Sequence, residues 1–587
     1  MRLENGHHAA RINGSAVTIP NPNYLQAGLL WRQLQTAGVS HIVISPGSRS
    51  TPLARTAAQS GNFECHVLTD ERVAAFFALG LAKGLNKPVA VLCTSGTAPA
   101  HYFPAVIEAS LSGYPLVVVT ADRPQNLRNQ GAPQTIDQPG MFGKYSRMTI
   151  DLPLPVADSA AMKSSLYWIR QTLAAMLSAP AGPVHINVPM DEPLAPLESG
   201  AEMCAQIFEV LEQSVESIHA APAPSLPVDR KVISDMEASW CGLIVCGPDS
   251  ARTENERRGI LSLARKLGWP MLCDIASGLR FEGEPGMPGY DIFLRHEQLA
   301  SIAPDFVFQF GGHPTSKVLC NYLNRHKPHT VRMQRDTIPR DPDGLAARLI
   351  VADIAEYCRD IVAHAKVSRD SLLLDPFWKT SGLVRAHMHD ACNDDSAEVS
   401  FVLSAIDCLP DDSNLVLASS MPVRYADLIA VPSGRKVHVF AQRGTNGIDG
   451  VISHAAGIAH TTKRPTLLIC GDLAFLHDLG GWMAARHAAN LRVLLLNNNG
   501  GGIFHFLPVA DFPDTFETLH GTPLNVRLDA AAEVFGIKWM ACASCSQLAD
   551  ALSWHSPQPS IIEVKTDRAA NRAAHERIVK RVLSGIG

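Results

Sequence analysis

The residues best suited to chemistry in this chain sit in short polar loops directly after apolar, β-branched runs. In the last third, the run 466–470 is followed by Gly471-Asp472, and the run 493–496 by Asn497-Asn498-Asn499-Gly500-Gly501-Gly502. Asp472 and Asn498 are 26 residues apart (from 472 to 498). That span suits one crossover helix returning to a parallel neighbour strand, which puts both side chains at one edge of a sheet. A carboxylate, an amide oxygen and a backbone carbonyl are hard oxygen ligands. They suit Mg²⁺ when phosphates complete its coordination. The glycines 500–502 let backbone approach a ligand closely, and a helix N-terminus after them would favour a diphosphate. Asn and Gly are also ordinary turn residues, so a turn without a ligand is the competing reading.

Other polar loops follow the same rule. PGSRSTPL follows 41–45, Asp70-Glu71 follows 65–69, TSGT follows 88–93 and ADRP follows 115–121. SSMPVR follows 415–418, and AQRGTNGIDG follows 437–440. In open α/β sheets, ligands bind beyond the carboxyl ends of the strands. Glu71 opens a helix at such a place; on its own it reads as a first-turn glutamate complementing the helix dipole. No phosphate-loop or H-E-x-x-H signature occurs, and the glycines at 444, 447 and 450 lack dinucleotide spacing. One C-x-x-C, Cys542 to Cys545, has no second Cys or His pair at zinc spacing.

The elements that must position these loops alternate short β-branched runs with longer amphipathic ones, the pattern of parallel sheets covered by helices. In the first third, strands are expected at 41–45, 65–69, 88–93, 115–121 and 184–188. Helices are expected at 24–37, stopped by Gly38, at 72–83, stopped by Gly84, and at 101–111. A Pro- and Ala-rich stretch at 220–227 reads as a linker. Middle strands follow at 243–246, 271–275, 306–310, 330–333 and 349–352. After a soft region at 393–398, the last strands fall at 415–418, 437–440, 466–470, 493–496 and 561–564. The expected fold is α/β, with three doubly wound parallel-sheet domains at 20–200, 228–370 and 395–587.

Composition narrows the class. The chain has 587 residues, 46% hydrophobic and 18% charged, with a net charge of −5. It has material for several cores and no basic surplus of the kind nucleic-acid binding needs. No run reaches the ~18 apolar residues of a membrane span. The N-terminus shows no apolar signal-peptide core, and 13 scattered cysteines suit reduced, buried thiols, so a cytoplasmic protein is expected.

Gly471-Asp472, a helix, then Asn497-Asn498 resembles the metal–diphosphate motif of thiamine diphosphate enzymes. More narrowly, PGSRSTPL (46–53), TDERVAAFFALGLAKG (69–84), TSGTA (94–98), ADRP (121–124), RGTNGIDG (443–450), GDLAFLHDL (471–479) and NNNGGGIF (497–504) resemble the carbon–carbon bond-forming synthases of the menaquinone pathway. The likeness runs from about residue 24 to the end and is weakest in the middle third. It implies a pyrimidine-binding, a central and a diphosphate-binding domain, with thiamine diphosphate held between the first domain of one subunit and the last of another. A homodimer or homotetramer follows.

By the resemblance, Glu71 is catalytic, bonding the aminopyrimidine ring, and Gln134 and Ser420 lie near the cofactor. Asp472, Asn498 and the Gly500 carbonyl hold Mg²⁺ or Mn²⁺; Asn499 with Gly501 is the alternative register. Ile503, Phe504 and Leu507 make an apolar wall beside the thiazolium. The implied substrates, 2-oxoglutarate and isochorismate, are rich in carboxylates, which guanidinium groups bind in bidentate fashion. Arg49, Arg123, Arg424 and Arg443, read at strand ends rather than on helix faces, are the candidates, with Ser48 and Lys317. Lys317 is followed by Val318 where a Lys-Arg pair can occur in the family, which leaves the central domain's part in substrate binding open. The competing readings are a 2-oxoacid decarboxylase, a flavin-containing acetohydroxyacid synthase, or a non-catalytic descendant of the fold.

Overall fold

The computed structural model describes residues 9–12, 15–218, 226–366, 370–486, 488–552, 554 and 558–586. Of the linker read at 220–227, residues 220–225 lie outside the described residues, and 226–227 have no regular structure. Contacts divide the chain into two compact units. The first comprises Met1–Ala221 with Ile452–Thr462 and Gly480–Ala485. The second comprises Pro222–Val451, Lys463–Leu479 and Arg486–Gly587.

In the first unit a short antiparallel hairpin, β1 (Ala9–Ile12) and β2 (Ser15–Thr18), precedes a six-stranded sheet. Its strands are β3 (His41–Ile44), β4 (Glu64–Val67), β5 (Val89–Cys93), β6 (Leu116–Asp122), β7 (Thr149–Asp151) and β8 (Val184–Pro189). All pairings are parallel, in the order β4-β3-β5-β6-β8-β7. β3, β5, β6 and β8 are buried along their whole length. Helices on both faces explain their continuous apolar runs. β7 is a three-residue edge strand, too short to announce itself in sequence.

The second unit holds two sheets. β9 (Gly242–Cys246), β10 (Met271–Cys273), β11 (Phe306–Phe310), β12 (His329–Gln334) and β13 (Ala346–Val351) form one, in the order β10-β9-β11-β12-β13. β14 (Ser413–Leu417), β15 (Val437–Ala441), β16 (Thr466–Gly471), β17 (Leu491–Asn497), β18 (Lys538–Cys542) and β19 (Ser560–Lys565) form the other, in the order β15-β14-β16-β17-β19-β18. This order repeats that of the first sheet. In each, the first strand is second from one edge and the next two flank it, the reversal at which doubly wound sheets open a crevice.

Two expectations need correcting. The helix after Glu71 does not stop at Gly84; it runs Glu71–Leu85 and ends on Asn86, whose φ is 52°. Gly84 and Gly80 serve packing instead. A Cβ at Gly80 would fall 2.2 Å from the His454 carbonyl oxygen, and one at Gly84 would fall 2.3 Å from Thr461 Oγ1, both on the helix Val451–Thr462. The soft reading of 393–398 also fails at its end, because Glu398 starts the helix Glu398–Asp407 and is buried.

Within the second unit, buried Asp427 ties the helix Met421–Ile429 to the segment 275–290 that follows β10. It accepts hydrogen bonds from Arg280 Nη2 (2.6 Å), the Tyr290 hydroxyl (2.8 Å) and the Ile275 amide (2.8 Å). A buried carboxylate with three donors is strongly held, and losing one donor leaves charge uncompensated. This anchor fixes the helix that carries Ser420 at its N-cap and Arg424 in its first turn.

Candidate functional site

A cavity of about 360 Å³ lies at the carboxyl ends of β14 and β16, the reversal point of the last sheet. Ser419 and Ser420 come from the β14 end, and Gly471 and Asp472 from the β16 end. Asn498 and Gly500 come from the end of β17. Asp472, almost wholly buried, opens the short helix Asp472–His477. Its Oδ2 accepts from the Gly500 amide at 2.8 Å and its Oδ1 from the Leu473 amide at 2.8 Å. Burial pushes its carboxyl up to about 6, with the two backbone donors pulling the other way.

Asn498 is also buried. Its Nδ2 donates to Glu398 Oε1 at 2.8 Å, while its Oδ1 has no hydrogen-bond partner among the described residues. A buried amide oxygen without a donor normally costs about 1–3 kcal/mol, and a cation is the natural occupant. Asn499, by contrast, is exposed and uses both amide ends on Asn525, at 2.9 and 2.8 Å. Gly500 has φ 139° and lies against the Gly521 carbonyl, which a Cβ would meet at 2.0 Å. The donor set of one carboxylate, one free amide oxygen and closely packed backbone fits a hard divalent cation bound to phosphate. No α-helix follows the three glycines, however; only the 3₁₀ turn Gly502–Phe506 does, so the expected helix N-terminus is missing there.

Ser420 has φ 73° and ψ −132°, a strained conformation for a residue with a side chain. Arg424 Nη1 donates to its carbonyl at 2.5 Å. Arg424 sits in the first turn of a helix rather than at a strand end, because the helix starts at Met421, with Pro422 in its first turn. Desolvation lowers the Arg424 guanidinium first, and the nearby Arg443 charge lowers it further. Arg443, two residues beyond β15, has a buried Nε with no acceptor among the described residues. Ile503, Phe504 and Leu507 line the same cavity, with Leu507 partly open to solvent. Lys317, exposed at the start of the helix Lys317–His326, is not among the lining residues, and Val318 packs on the apolar core.

Glu398 supports the site without a mark in the sequence. It is 1% exposed, accepts from Asn498 Nδ2 and from Thr566 Oγ1 (2.9 Å), and burial raises its carboxyl above the usual range. Its polar flanks, NDDSA, hid it in an apparent loop. Only its place before the apolar run VSFVLSAI could have marked it.

In the first unit, Glu71 is half-buried and opens its helix beneath the Asp70 cap. It lies near Cys93 and Tyr102; both are raised mainly by burial, with the Glu71 charge adding to it. Arg49 is buried and donates to the Met190 carbonyl at 2.9 Å, with Glu192 at 3.5 Å. Desolvation lowers it first, then the Arg123 charge, so these two arginines are neighbours as well. Gln134 (φ 57°) donates to the Ser95 carbonyl at 3.1 Å, and Ser48 is exposed. Gln138, unmarked in sequence, is buried and accepts from the Gly96 amide at 2.9 Å.

Three family models match the chain in order. They are the thiamine pyrophosphate enzyme N-terminal TPP binding domain (27–141), the middle domain of thiamine pyrophosphate enzymes (230–417) and the C-terminal TPP binding domain (421–564). Fold and matches alike are those of a thiamine diphosphate-dependent enzyme. Proteins named 2-succinyl-5-enolpyruvyl-6-hydroxy-3-cyclohexene-1-carboxylate synthase are similar over nearly the whole chain. The one from Geobacillus kaustophilus is 38% identical, covering 94% of this chain and 96% of its own. That from Rubrobacter xylanophilus is 37% identical, covering 96% and 98%. That from Chloroflexus aurantiacus is 37% identical, covering 93% and 94%. The chain belongs to this synthase family. Among the described residues, no helix is long and apolar enough to cross a membrane.

Proposed function

We propose that this enzyme decarboxylates 2-oxoglutarate and adds the remaining succinyl unit to isochorismate, releasing CO₂, as a cytoplasmic step of menaquinone biosynthesis. The observation that carries the reading is the pairing of buried Asp472 with the donor-free Asn498 Oδ1 at the reversal point of the last sheet. Thiamine diphosphate supplies the nucleophilic carbon and the electron sink. Asp472, Asn498 and the Gly500 carbonyl would hold Mg²⁺ or Mn²⁺ against its diphosphate. Glu71 would exchange a proton with its aminopyrimidine ring, with Gln134 and Ser420 beside the cofactor. Ile503, Phe504 and Leu507 would limit water at the reacting centre.

Substrate recognition rests on the two arginine pairs. Arg424 and Arg443 repel one another, and no carboxylate ion-paired to either appears among the described residues. An anionic substrate would relieve that repulsion, which suits 2-oxoglutarate. Arg49 and Arg123, with Ser48, would meet isochorismate; Lys317 has weaker support. A decarboxylase or acetohydroxyacid synthase acting on a small apolar oxoacid would have no use for these cations. We further propose at least a homodimer, and by family likeness a homotetramer.

The test is direct. Protein incubated with Mg²⁺, thiamine diphosphate, 2-oxoglutarate and isochorismate is expected to give a product whose mass is that of both substrates less CO₂. Release of CO₂ with the four-carbon aldehyde as sole product would replace this reading with a simple decarboxylase.

A further inference from the structure

On the first sheet, the neighbouring strands β3 and β4 gather a cluster that the chemistry above does not use. His41 opens β3 and Glu64 opens β4, and the two are paired directly in register. His66 stands two residues beyond Glu64, so the strand period puts it on the same face. His41 Nδ1 is 3.1 Å from His66 Nε2 and 3.7 Å from Glu64 Oε2; His66 Nε2 is 3.8 Å from Glu64 Oε1. His460, near the end of the helix Val451–Thr462, brings its Nε2 to 2.5 Å from Glu64 Oε1. All four residues belong to the first unit. The two strand histidines are largely buried, and Glu64 faces solvent.

We propose that His41, Glu64 and His66 bind a zinc ion, with His460 orienting the Glu64 carboxylate. Zinc holds imidazole nitrogen at about 2.0–2.1 Å and carboxylate oxygen at 2.0–2.2 Å in a tetrahedral shell. Its donors then stand ~3.4 Å apart; here the two imidazole nitrogens are 3.1 Å apart, Glu64 approaches His41 through Oε2 at 3.7 Å and His66 through Oε1 at 3.8 Å, and one ligand atom from each residue lies within 4.8 Å of the others. Water from the exposed side fills the fourth position. Two imidazoles select zinc-like cations and disfavour Mg²⁺, so the site is chemically separate from the all-oxygen Asp472 site. His460 acts as the outer partner that fixes a ligand's orientation. His41 and Glu64 lie at the strand ends opposite to those that carry Ser48, Arg49 and Glu71, with His66 two residues further along β4. The ion therefore braces β3 and β4 to the helix Val451–Thr462 through the Glu64–His460 contact, and takes no part in turnover.

The experiment uses untagged, chelator-stripped full-length protein with excess Mg²⁺ present. Zn²⁺ is titrated by calorimetry, and Co²⁺ replaces it for visible spectroscopy. One equivalent per chain is expected, with a rise in melting temperature and Co²⁺ bands lacking any thiolate charge-transfer feature. His66→Ala and His41→Gln should each weaken binding at least 100-fold, and His460→Gln about 10-fold. Both ligand variants are included so that a folding defect in one leaves the other decisive. Failure to take up Zn²⁺, or uptake unchanged in both ligand variants, would overturn the proposal. So would a thiolate band, which would move the ion to the Cys320, His313 and Asp343 group of the central domain.

Discussion

At the residue scale, the site turns on how Asn498 is held. Its Nδ2 is taken by Glu398, which leaves the amide oxygen facing the cavity. Glu398→Ala removes that restraint, and Asn498 would then be free to turn. Cofactor affinity measured by calorimetry with Mg²⁺ should fall about 10–100-fold, the usual effect of losing an outer partner of a metal ligand. Glu398→Gln, which keeps an acceptor, should restore most of it; equal losses in both variants would mean Glu398 acts only through packing. Glu71→Gln cannot exchange a proton with the aminopyrimidine. Turnover should drop on the order of 10²–10⁴-fold at saturating cofactor while the circular dichroism spectrum stays native. Near-normal turnover would remove Glu71 from the mechanism. On the proposed reading, the arginines separate by substrate. Arg424→Ala should chiefly impair use of 2-oxoglutarate and Arg49→Ala use of isochorismate, each by roughly 10–150-fold for a lost charge-assisted contact of about 1.5–3 kcal/mol. Arg49 also holds the Met190 carbonyl, so its variant should lose stability too. Equal effects of both variants on both substrates would show that the arginines serve structure alone.

At the element scale, the central domain's helix Glu254–Leu267 offers a pH test. Glu256 closes a capping box with Thr253 and accepts from Arg335 Nη2 at 2.9 Å. Burial raises its carboxyl, but Arg335 and the backbone amides of Arg252 and Thr253 outweigh this and hold it below its ordinary value. A depressed carboxyl contributes stability above its unfolded value of about 4.3, and that contribution is lost as pH falls through the lower folded value. Glu256→Gln should therefore destabilise by about 1–3 kcal/mol at pH 7, with the gap closing toward pH 3 in urea denaturation. A gap independent of pH would show that the charge contributes nothing.

The same scale shows what sequence could reveal. β5, β6 and β17 are continuous apolar runs, legible because both faces are covered. β18 mixes exposed and half-buried positions at the sheet edge and gave no such run. Gly84 looked like a helix stop because its packing partner, Thr461, is nearly four hundred residues away in sequence. The His41–His66 cluster was invisible for a related reason: register between strands, unlike period along one, leaves no local trace.

At the scale of the whole molecule, two sheets share one strand order, and the loops that differ between them hold the proposed site residues. Those loops were readable as polar interruptions after apolar strands; Glu398 and Gln138 were not, because they support the site from within a helix and a turn. On the proposed reading, the enzyme joins two substrates through the carbon left by decarboxylation. The most direct test supplies 2-oxoglutarate labelled with ¹³C at its oxo carbon, with isochorismate, and follows the label by NMR. The label is expected to become a ketone carbon bonded to the former isochorismate ring, with one CO₂ released per product. Label recovered as an aldehyde, or left in unreacted 2-oxoglutarate, would contradict that reading.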